Sequence, residues 1–509
     1  MPTDLNTPLE DPAVQHVLEA ALPDYLAAQR WFTSKGQTIG ALTLELLPRF
    51  CSAGRLSLLH IRFEDGAGEV RPLPIAVLGR DADVPDDRVI ARLPDGDARV
   101  VDAVELDGFR ESLYTFMASG RRVEDEYGAL IAEAGPLLKR APQCGANAFP
   151  SQQSSNSVVT YEPDGFLKLF RKTEPGLHPD AELIGYLSGE CHFGSVPPFG
   201  GALHFQPAGD GEALSLALML GKVDNRGELW NTMLEDVAAY AKTYHRGDGD
   251  ALSLNLLKPL RTADLPDVLR DGIGAATLRR IERLGTRTAE MHLHLAASTD
   301  PEIAPTDLRG DYWDALTAHL AKRLKEESAR ADDSMTDVLG DVSTWLASAT
   351  LPDVPGGRIR VHGDYHLGQV LDTGDDLVII DFEGEPLYSL AYRRSRHPAF
   401  KDVAGMLRSL HYAPYAYAIQ QTAGTEDDFA AAADWYAAAS RIFLTTYLDR
   451  VGEANFLPAD PTERATLLSF FLADKALYEL AYERSSRPDW IEIPRQGIRQ
   501  VVRMFEQIG

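Results

Sequence analysis

Acidic, amide and imidazole side chains stand at fixed intervals in the segment RVHGDYHLGQVLDTGDDLVIIDFEGEP, residues 360–386. Asp364 follows an apolar pair, Gln369 lies five residues later, and a short apolar run ends at Asp381. This spacing predicts a turn, a hairpin and a buried strand that delivers the second carboxylate at its end. In a kinase-type catalytic loop, one carboxylate accepts the proton of an attacking hydroxyl, while an amide and a second carboxylate hold Mg²⁺ on the nucleotide phosphates. The spacing therefore predicts phosphoryl transfer, with Asp364 as the base and Gln369 and Asp381 as metal ligands.

The same segment has two other interpretations. HGD and DFEG can be ordinary turns between strands, since a short motif is a hypothesis until its context supports it. Gly363, Asp364 and His366 also match part of the GDxH site of a binuclear metallophosphatase. That site needs further ligands in later loops to hold two metals, and no GNH-type segment follows in the sequence. The two motifs, with a strand predicted between them, favour the kinase-type interpretation.

A kinase-type site also needs a lysine on a strand for the nucleotide phosphates, an acid to hold that lysine, and a loop over the phosphates. Lys168 alternates with apolar neighbours in GFLKLF, so its ammonium can face a cleft. Glu182 in HPDAEL is its predicted partner, while Arg171 and Lys172 are competing cations that are expected to be solvated. No GxGxxG is present, and a polar loop with small side chains and backbone N–H groups is predicted to replace it over the phosphates. The residues of that loop are Ser154, Ser155, Asn156 and Ser157.

The order of patterns along the chain predicts a bilobal, protein-kinase-like α+β fold. With 509 residues, the chain is too long for a single core. Residues 1–105 form a predicted β-rich subdomain with one helix, LPDYLAAQRWF, and residues 106–225 form a mixed, ATP-binding subdomain that includes the strand-like run 214–220. In residues 226–509, apolar side chains recur at i, i+3 and i+4, which predicts a helical C-terminal lobe around the catalytic loop.

The charge and cysteine content exclude several classes of partner and site. The net charge is −26, so neither a nucleic acid nor an anionic membrane is expected to bind, whereas Mg²⁺ and a few local cations can neutralise ATP. Three scattered cysteines indicate neither a disulfide framework nor a CxxC metal site. Without a basic and apolar leader or a long apolar run, a reduced cytoplasmic location is expected.

Nearly the whole chain resembles the maltokinases, ATP-dependent sugar kinases of the aminoglycoside-phosphotransferase-like group. The resemblance rests on QRWFTSKG, QQSSNSVV, LKLFRK, HPDAEL, VHGDYHLGQVL, IIDFEGEP, KDVAGMLRS and DKALYELAYERSSRPDWIEIP. It implies an N-terminal cap subdomain, the cofactors ATP and Mg²⁺, and the conversion of maltose to maltose 1-phosphate for the synthesis of glycogen-like α-glucans. It also implies trehalose synthase as a partner. Three features depart from the pattern of the wider group: Gln369 replaces Asn, Tyr365 stands in place of Leu, and the segment 387–400 differs.

The acceptor side is assigned mainly to the last helical segment by this resemblance. Residues at three- and four-residue steps share one helix face, and aromatic rings cover the apolar faces of sugars while charged groups bind hydroxyls. The assigned residues are His366, Glu383, Lys475, Tyr478, Glu479, Tyr482 and Trp490. The alternative is a helix that packs its tyrosines into the core and pairs Lys475 with Glu479.

Other assignments concern the loop and the acceptor. Asp402 is expected to brace the catalytic loop, His362 and His366 to order it, and His292 and His294 to serve packing or the surface rather than a metal. An amino-sugar kinase, such as a glucosamine kinase, can use the same frame with an acidic pocket for the ammonium group. A nucleotide-binding pseudokinase is the alternative from another class, although the catalytic residues are intact.

Overall fold

A computed structural model shows the chain as two compact units, Met1–Val223 and Asp224–Gly509. The residues described are 7–79, 82, 84–93, 98–141, 156–163, 165–244, 252, 255–350, 352–421 and 424–508. The first unit is β-rich and the second is mainly helical, as the sequence predicts. The finer division at residues 105 and 225 stays a prediction.

The first unit contains, in its described residues, a five-stranded and a six-stranded antiparallel sheet. Its strands are β1 Ile39–Leu46, β2 Arg55–Phe63, β3 Gly68–Gly79, β4 Val89–Arg92, β5 Ala98–Asp102, β6 Arg122–Glu124, β7 Gly128–Ala134, β8 Ser157–Tyr161, β9 Gly165–Leu169, β10 Phe199–Pro207 and β11 Leu214–Gly221. Its helices are α1 Pro12–Ala28, α2 Asp107–Ser119, α3 Pro136–Arg140 and α4 Pro179–Ile184. The strand orders are β1-β2-β3-β5-β4 and β6-β7-β10-β11-β9-β8.

The predicted alternation in β9 is confirmed. Leu167 and Leu169 are buried, whereas Lys168 between them is partly exposed. In the register of the sheet, Lys168 lies between Val158 on β8 and Leu218 on β11. Because successive side chains of a strand point to opposite faces, the lysine stands on the face opposite to the core leucines.

The bounds predicted for the first helix are wrong. The helix begins at Pro12 and ends at Ala28, with Pro23 in its interior, so LPDYLAAQRWF covers only its last part and the residues after it. Asp11 caps the helix by accepting from the N–H of Ala13, and a proline is favoured at the first helical position. Trp31 lies beyond the end of the helix in a turn.

The second unit is built around long helices with two small two-stranded sheets. Its helices are α5 Leu229–Thr243, α6 Asp267–Ile273, α7 Ala275–Ala296, α8 Gly310–Ser328, α9 Asp333–Ser348, α10 Leu390–Arg393, α11 Phe400–Gln421, α12 Glu426–Val451, α13 Pro461–Ser486 and α14 Glu492–Ile508. Its strands are β12 Thr306–Leu308, β13 Val354–Arg358, β14 Val370–Asp372 and β15 Leu377–Ile379. Helices α7, α11, α12 and α13 pack against one another or their neighbours and carry many of the buried apolar side chains. Within the described ranges, no helix has both the length and the apolar character that a membrane crossing requires.

Candidate active site

One buried carboxylate, that of Asp402 on α11, holds the turn that leads into Asp364. Asp402 Oδ2 accepts from the backbone N–H of His362 at 2.7 Å, and Oδ1 accepts from the N–H of Gly363 at 2.9 Å. Gly363 has a φ of +88°, which glycine adopts without steric cost. The prediction that Asp402 braces the catalytic loop is confirmed, because both bonds end on the two residues before Asp364.

A second buried layer supports Asp402. His292 on α7 places Nε2 3.1 Å from Asp402 Oδ2 and Nδ1 2.9 Å from the hydroxyl of Tyr447 on α12. Burial by itself would raise the pKa of Asp402, but the hydrogen bond and charge of His292, with the N–H of Gly363, outweigh it and lower the pKa. Asp402 is therefore an ionised carboxylate in the core. His292 is buried and packed there, as predicted, and it also positions Asp402, which the sequence did not indicate.

The hairpin of β14 and β15 joins the two predicted metal ligands. Val370 pairs with Ile379, and Gln369 Nε2 donates to Asp381 Oδ2 at 3.2 Å. Asp381 has a φ of +67°, a conformation that non-glycine residues keep mainly where the surroundings fix it, often at functional sites. Carboxylate and amide oxygens are the hard ligands that Mg²⁺ takes together with water and phosphate oxygens. This pair of side chains therefore fits a Mg²⁺ ion.

The pKa of one imidazole, that of His366, is affected by the charges of both predicted carboxylates, Asp364 and Asp381. Burial lowers the pKa of His366, while the charges of Asp364 and Asp381 act in the opposite direction. His366 Nδ1 accepts from the N–H of Gly368 at 3.1 Å, and Nε2 lies 3.9 Å from Asp364 Oδ2. The expectation that His366 orders the loop is confirmed, and its contact with an acceptor stays a prediction.

Lys475 on α13 reaches the catalytic turn from the far end of the sequence. Its Nζ donates to Glu385 Oε1 at 2.8 Å and lies 3.5 Å from Asp364 Oδ1. Burial would lower the pKa of Lys475, but the carboxylates of Glu385 and Asp364 raise it above its ordinary value. Lys475 therefore stays protonated beside the predicted base. Sequence reasoning missed Glu385, although it lies in the DFEGEP motif only four residues after Asp381.

Aromatic side chains continue from Lys475 along α13. The ammonium of Lys475 lies 5.1 Å from the ring centre of Tyr478, and Tyr478 stacks on Tyr482 with their ring centres 6.4 Å apart. Tyr482 is 46% exposed. The guanidinium of Arg487 lies over both Tyr482, at 5.5 Å, and Trp490, at 4.3 Å. The structure thus brings the predicted aromatic residues onto one continuous surface.

The two remaining predicted acceptor residues, Glu479 and Glu383, have partners within the protein. Glu479 Oε2 accepts from Nε of Arg408 at 2.8 Å, and burial raises the pKa of Glu479. The backbone carbonyl of Glu383 accepts from Arg393 Nη1 at 3.0 Å. The alternative interpretation paired Lys475 with Glu479 on the same helix. In the structure, Lys475 instead donates to Glu385 in the loop after Asp381, and Glu479 accepts from Arg408 on α11. Acceptor contacts by Glu479 and Glu383 stay predictions.

In the first unit, Lys168 has a buried carboxylate as a partner. Its Nζ donates to Asp180 Oδ2 at 2.7 Å, and the side chain of Asp180 is fully buried at the start of α4. The predicted partner Glu182 lies two residues further along the same helix, so its side chain points in another direction, and it is partly exposed. Sequence reasoning missed Asp180, which lies two residues before Glu182 in the same HPDAEL motif.

The expectation that Arg171 is solvated is wrong. Arg171 is 2% exposed and donates to Asp102 Oδ2 at 2.6 Å and to Ser157 Oγ at 2.8 Å. Asn156 Oδ1 accepts from the backbone N–H of Arg171 at 3.3 Å. Two members of the predicted phosphate loop thus face Arg171, while Ser154 and Ser155 lie outside the described residues. Lys172 is exposed as expected, and its Nζ donates to Glu69.

Comparison with known proteins gives two matches to family models. Residues 231–385 match the phosphotransferase enzyme family, and residues 25–105 match the maltokinase N-terminal cap domain. A glucosamine kinase of Streptacidiphilus jiangxiensis is 30% identical over an alignment of 399 positions that covers 76% of this chain and 80% of the relative. A glucosamine kinase of Mycolicibacterium smegmatis is 31% identical over an alignment of 227 positions that covers 43% of this chain and 52% of the relative.

A solved structure has the same fold. The glucosamine kinase in complex with glucosamine, ADP and inorganic phosphate superimposes with a TM-score of 0.65 at 22% identity, covering 96% of this chain and 98% of the other. At this level of identity the likeness concerns the fold. The kinase-like α+β fold predicted from the sequence is confirmed, with a β-rich N-terminal part and a mainly helical C-terminal part.

Proposed function

Because the chain belongs to the phosphotransferase enzyme family and carries a maltokinase-type N-terminal cap, we propose that it transfers the γ-phosphoryl group of ATP to a sugar hydroxyl. The observation that carries this proposal is the position of Asp364. Its carboxylate lies 3.5 Å from Lys475 Nζ, and the turn before it contacts the segment before Asp381, because His362 Nε2 lies 2.8 Å from the carbonyl oxygen of Ile380. A base next to a pair of metal ligands is the arrangement that phosphoryl transfer requires.

In the proposed reaction, Asp364 accepts the proton of the acceptor hydroxyl as its oxygen attacks the γ-phosphorus and ADP leaves. The ammonium of Lys475, 3.5 Å away, directs the Asp364 carboxylate, and Glu385 holds the ammonium in place. Asp402 fixes the backbone of the same turn. Catalysis of this kind depends on positioning and on charge neutralisation.

Two sets of residues are proposed to bind the nucleotide. Gln369 and Asp381 would hold Mg²⁺, which when bound neutralises the charge of the β- and γ-phosphates. Lys168, oriented by Asp180 and Glu182, would bind the α- and β-phosphates. We also propose that the loop of residues 154–157 covers the phosphates.

The acceptor that we propose is maltose, phosphorylated on its anomeric hydroxyl to give maltose 1-phosphate for α-glucan synthesis. The support is the aromatic surface of Tyr478, Tyr482 and Trp490, which extends away from Lys475 over more than one ring. Aromatic side chains with a polar group suit the apolar faces and hydroxyls of a two-ring sugar. A trehalose synthase partner, implied by the family resemblance, stays a prediction.

Glucosamine is the second candidate acceptor. Two relatives are named glucosamine kinases, and one of them matches most of the chain. Carboxylates surround the turn, including Asp364, Asp381 and Glu385, against which Lys475 supplies one positive charge. An acidic surface of this kind can bind the ammonium of an amino sugar.

A panel of sugars separates these proposals. We expect ADP release in the presence of ATP, Mg²⁺ and maltose, with loss of the reducing end of the sugar as the anomeric phosphate forms. Release with glucosamine but not with maltose would assign the second acceptor instead. ATP consumption that no sugar stimulates, measured with a fully folded protein, would contradict the proposed sugar kinase.

Replacing Lys168 by Met is expected to lower kcat/KM for ATP about 10- to 100-fold, because a charge-assisted contact to phosphate is worth about 1.5 to 3 kcal/mol. Steady-state kinetics at varied ATP concentration measure this loss. Lys172→Met is the matched control, since Lys172 is a neighbouring lysine whose side chain is 47% exposed. Equal kinetics for both variants would rule out Lys168 as a phosphate ligand.

A further inference from the structure

The segment 387–400, which departs from the family pattern, begins next to the residue that holds Lys475. The N–H of Tyr388 donates to the carbonyl of Glu385 at 3.1 Å, so a turn carries the chain directly from Glu385 to Tyr388. Ser389 then caps α10 through its side chain. Tyr388 is therefore fixed three residues after a carboxylate of the active site.

One guanidinium connects Tyr388 to the aromatic surface of α13. Arg323 on α8 donates through Nη1 to Asp474 Oδ1 at 2.7 Å, and through Nη2 to the hydroxyl of Tyr388 at 3.4 Å. The same guanidinium lies 5.3 Å from the ring centre of Tyr478. Tyr478 and Tyr388 thus contact the same cation, which is 15% exposed.

The ring of Tyr388 is also held from the side. It stacks on Tyr392, with ring centres 4.4 Å apart and 29° between the planes. The ammonium of Lys401 lies 4.8 Å from the ring centre of Tyr392 and 5.9 Å from that of Tyr388. A tyrosine fixed by its hydroxyl and by stacking loses little conformational entropy when a ligand binds to it.

We propose that Tyr388, oriented by Arg323, is a second aromatic wall of the acceptor site and contacts the sugar ring next to the one that is phosphorylated. The site would then select acceptors of at least two hexose units. This inference rests on the proposed sugar kinase activity. Its physical basis is the order of contacts. Tyr478 lies against Lys475, which neighbours the proposed base, and Arg323 joins Tyr478 to Tyr388, because its guanidinium lies over the ring of Tyr478 and donates to the hydroxyl of Tyr388. A second ring gains stacking from Tyr388 that a single-ring sugar does not reach.

Kinetics with a two-ring and a one-ring acceptor test this role. Tyr388→Ala is expected to raise the KM for maltose about tenfold, the effect of losing one aromatic contact, with the KM for ATP unchanged. The KM for glucosamine or glucose should stay within about twofold. Tyr388→Phe, which keeps the ring but loses the bond to Arg323, should give a smaller increase. Leu387→Ala, at the adjacent and 79% exposed position, is the control for changes in the segment itself.

The possible outcomes separate this inference from the proposed function. Equal increases for one-ring and two-ring sugars would show a structural role of Tyr388 and overturn the inference, as would a Tyr388→Ala variant with wild-type KM values. A wild-type enzyme that accepts only one-ring sugars also overturns it and leaves the sugar kinase proposal intact. A wild-type protein that neither phosphorylates sugars nor binds maltose in calorimetry overturns both.

Discussion

Replacing Asp364 by Asn is expected to lower kcat about 10²- to 10⁴-fold, the usual contribution of a positioned general base, with little change in the KM for ATP. Asn has the same shape, but its amide does not accept the hydroxyl proton. The substitution removes the negative charge that lies 3.5 Å from the ammonium of Lys475. Lys475 keeps its ion pair with Glu385 at 2.8 Å, so its position is expected to be retained. The turn itself is held by Asp402 and is expected to keep its shape.

Steady-state kinetics with the acceptor identified by the sugar panel measure this loss, and nucleotide binding is followed by calorimetry with ADP. Asp375→Asn is the matched control, because Asp375 lies exposed in the turn of the β14–β15 hairpin of the same unit. A kcat for Asp364→Asn equal to that of the wild type would refute the role of Asp364 as base. A loss of ADP binding together with activity would point to a disturbed fold of the turn.

Replacing Asp402 by Asn is expected to lower the free energy of unfolding by about 3 to 5 kcal/mol, the cost of breaking a buried charged pair. Asp402 is 1% exposed and accepts from two backbone N–H groups, and His292 lies 3.1 Å away. An amide offers one acceptor in place of two, so buried donors lose their partner. Because these donors belong to the turn before Asp364, kcat should fall in the same variant.

The pH dependence of stability distinguishes this ionised carboxylate from a neutral one. The pKa of Asp402 is lowered in the folded protein, so its contribution to stability is full above the unfolded-state value of about 3.9. That contribution is lost as the pH falls through the lower folded-state pKa. Denaturant unfolding at pH values from 7 to about 3 should therefore show a smaller acid-induced loss for Asp402→Asn than for the wild type.

Asp449→Asn provides the control, since Asp449 forms an exposed ion pair with Arg261, and exposed pairs contribute little. The same unfolding free energy and the same acid dependence for Asp402→Asn and the wild type would show that Asp402 does not hold the catalytic turn through its charge. If Asp402→Asn does not fold at pH 7, urea unfolding of His292→Gln tests the same network, because a Gln amide can still donate to Asp402.

The sequence predicted those parts of the site that depend on neighbours in the chain. The hairpin with Gln369 and Asp381 at its ends, and the alternation around Lys168, follow from turn residues and from the two-residue period of strands. Both concern contacts between residues a few positions apart. For such contacts the order of residue types is sufficient to indicate the geometry.

The long helices α11 and α12 gave no clear signal in the sequence. Buried residues of α12 run almost without interruption from Ala431 to Thr445, so the polar face that produces a helical period is short. The sequence of a helix that other helices cover on most sides is apolar throughout and shows no clear helical period. Packing against the neighbouring helices therefore decides where such a helix forms, and it also fixes the positions of Asp402 on α11 and Tyr447 on α12.

The sequence by itself predicted a phosphotransferase, the class that the family comparison supports, because the residues predicted as the base, the metal ligands and the phosphate-binding lysine occur in short, recognisable motifs. The tertiary structure decided the partners of each charge: Lys475 binds Glu385, 90 residues away, and Arg171 binds Asp102, 69 residues away. A charged side chain is costly to bury unless a counter-charge lies next to it in the folded protein. Which counter-charge is nearest depends on how helices and sheets pack, and short-range patterns do not contain that information.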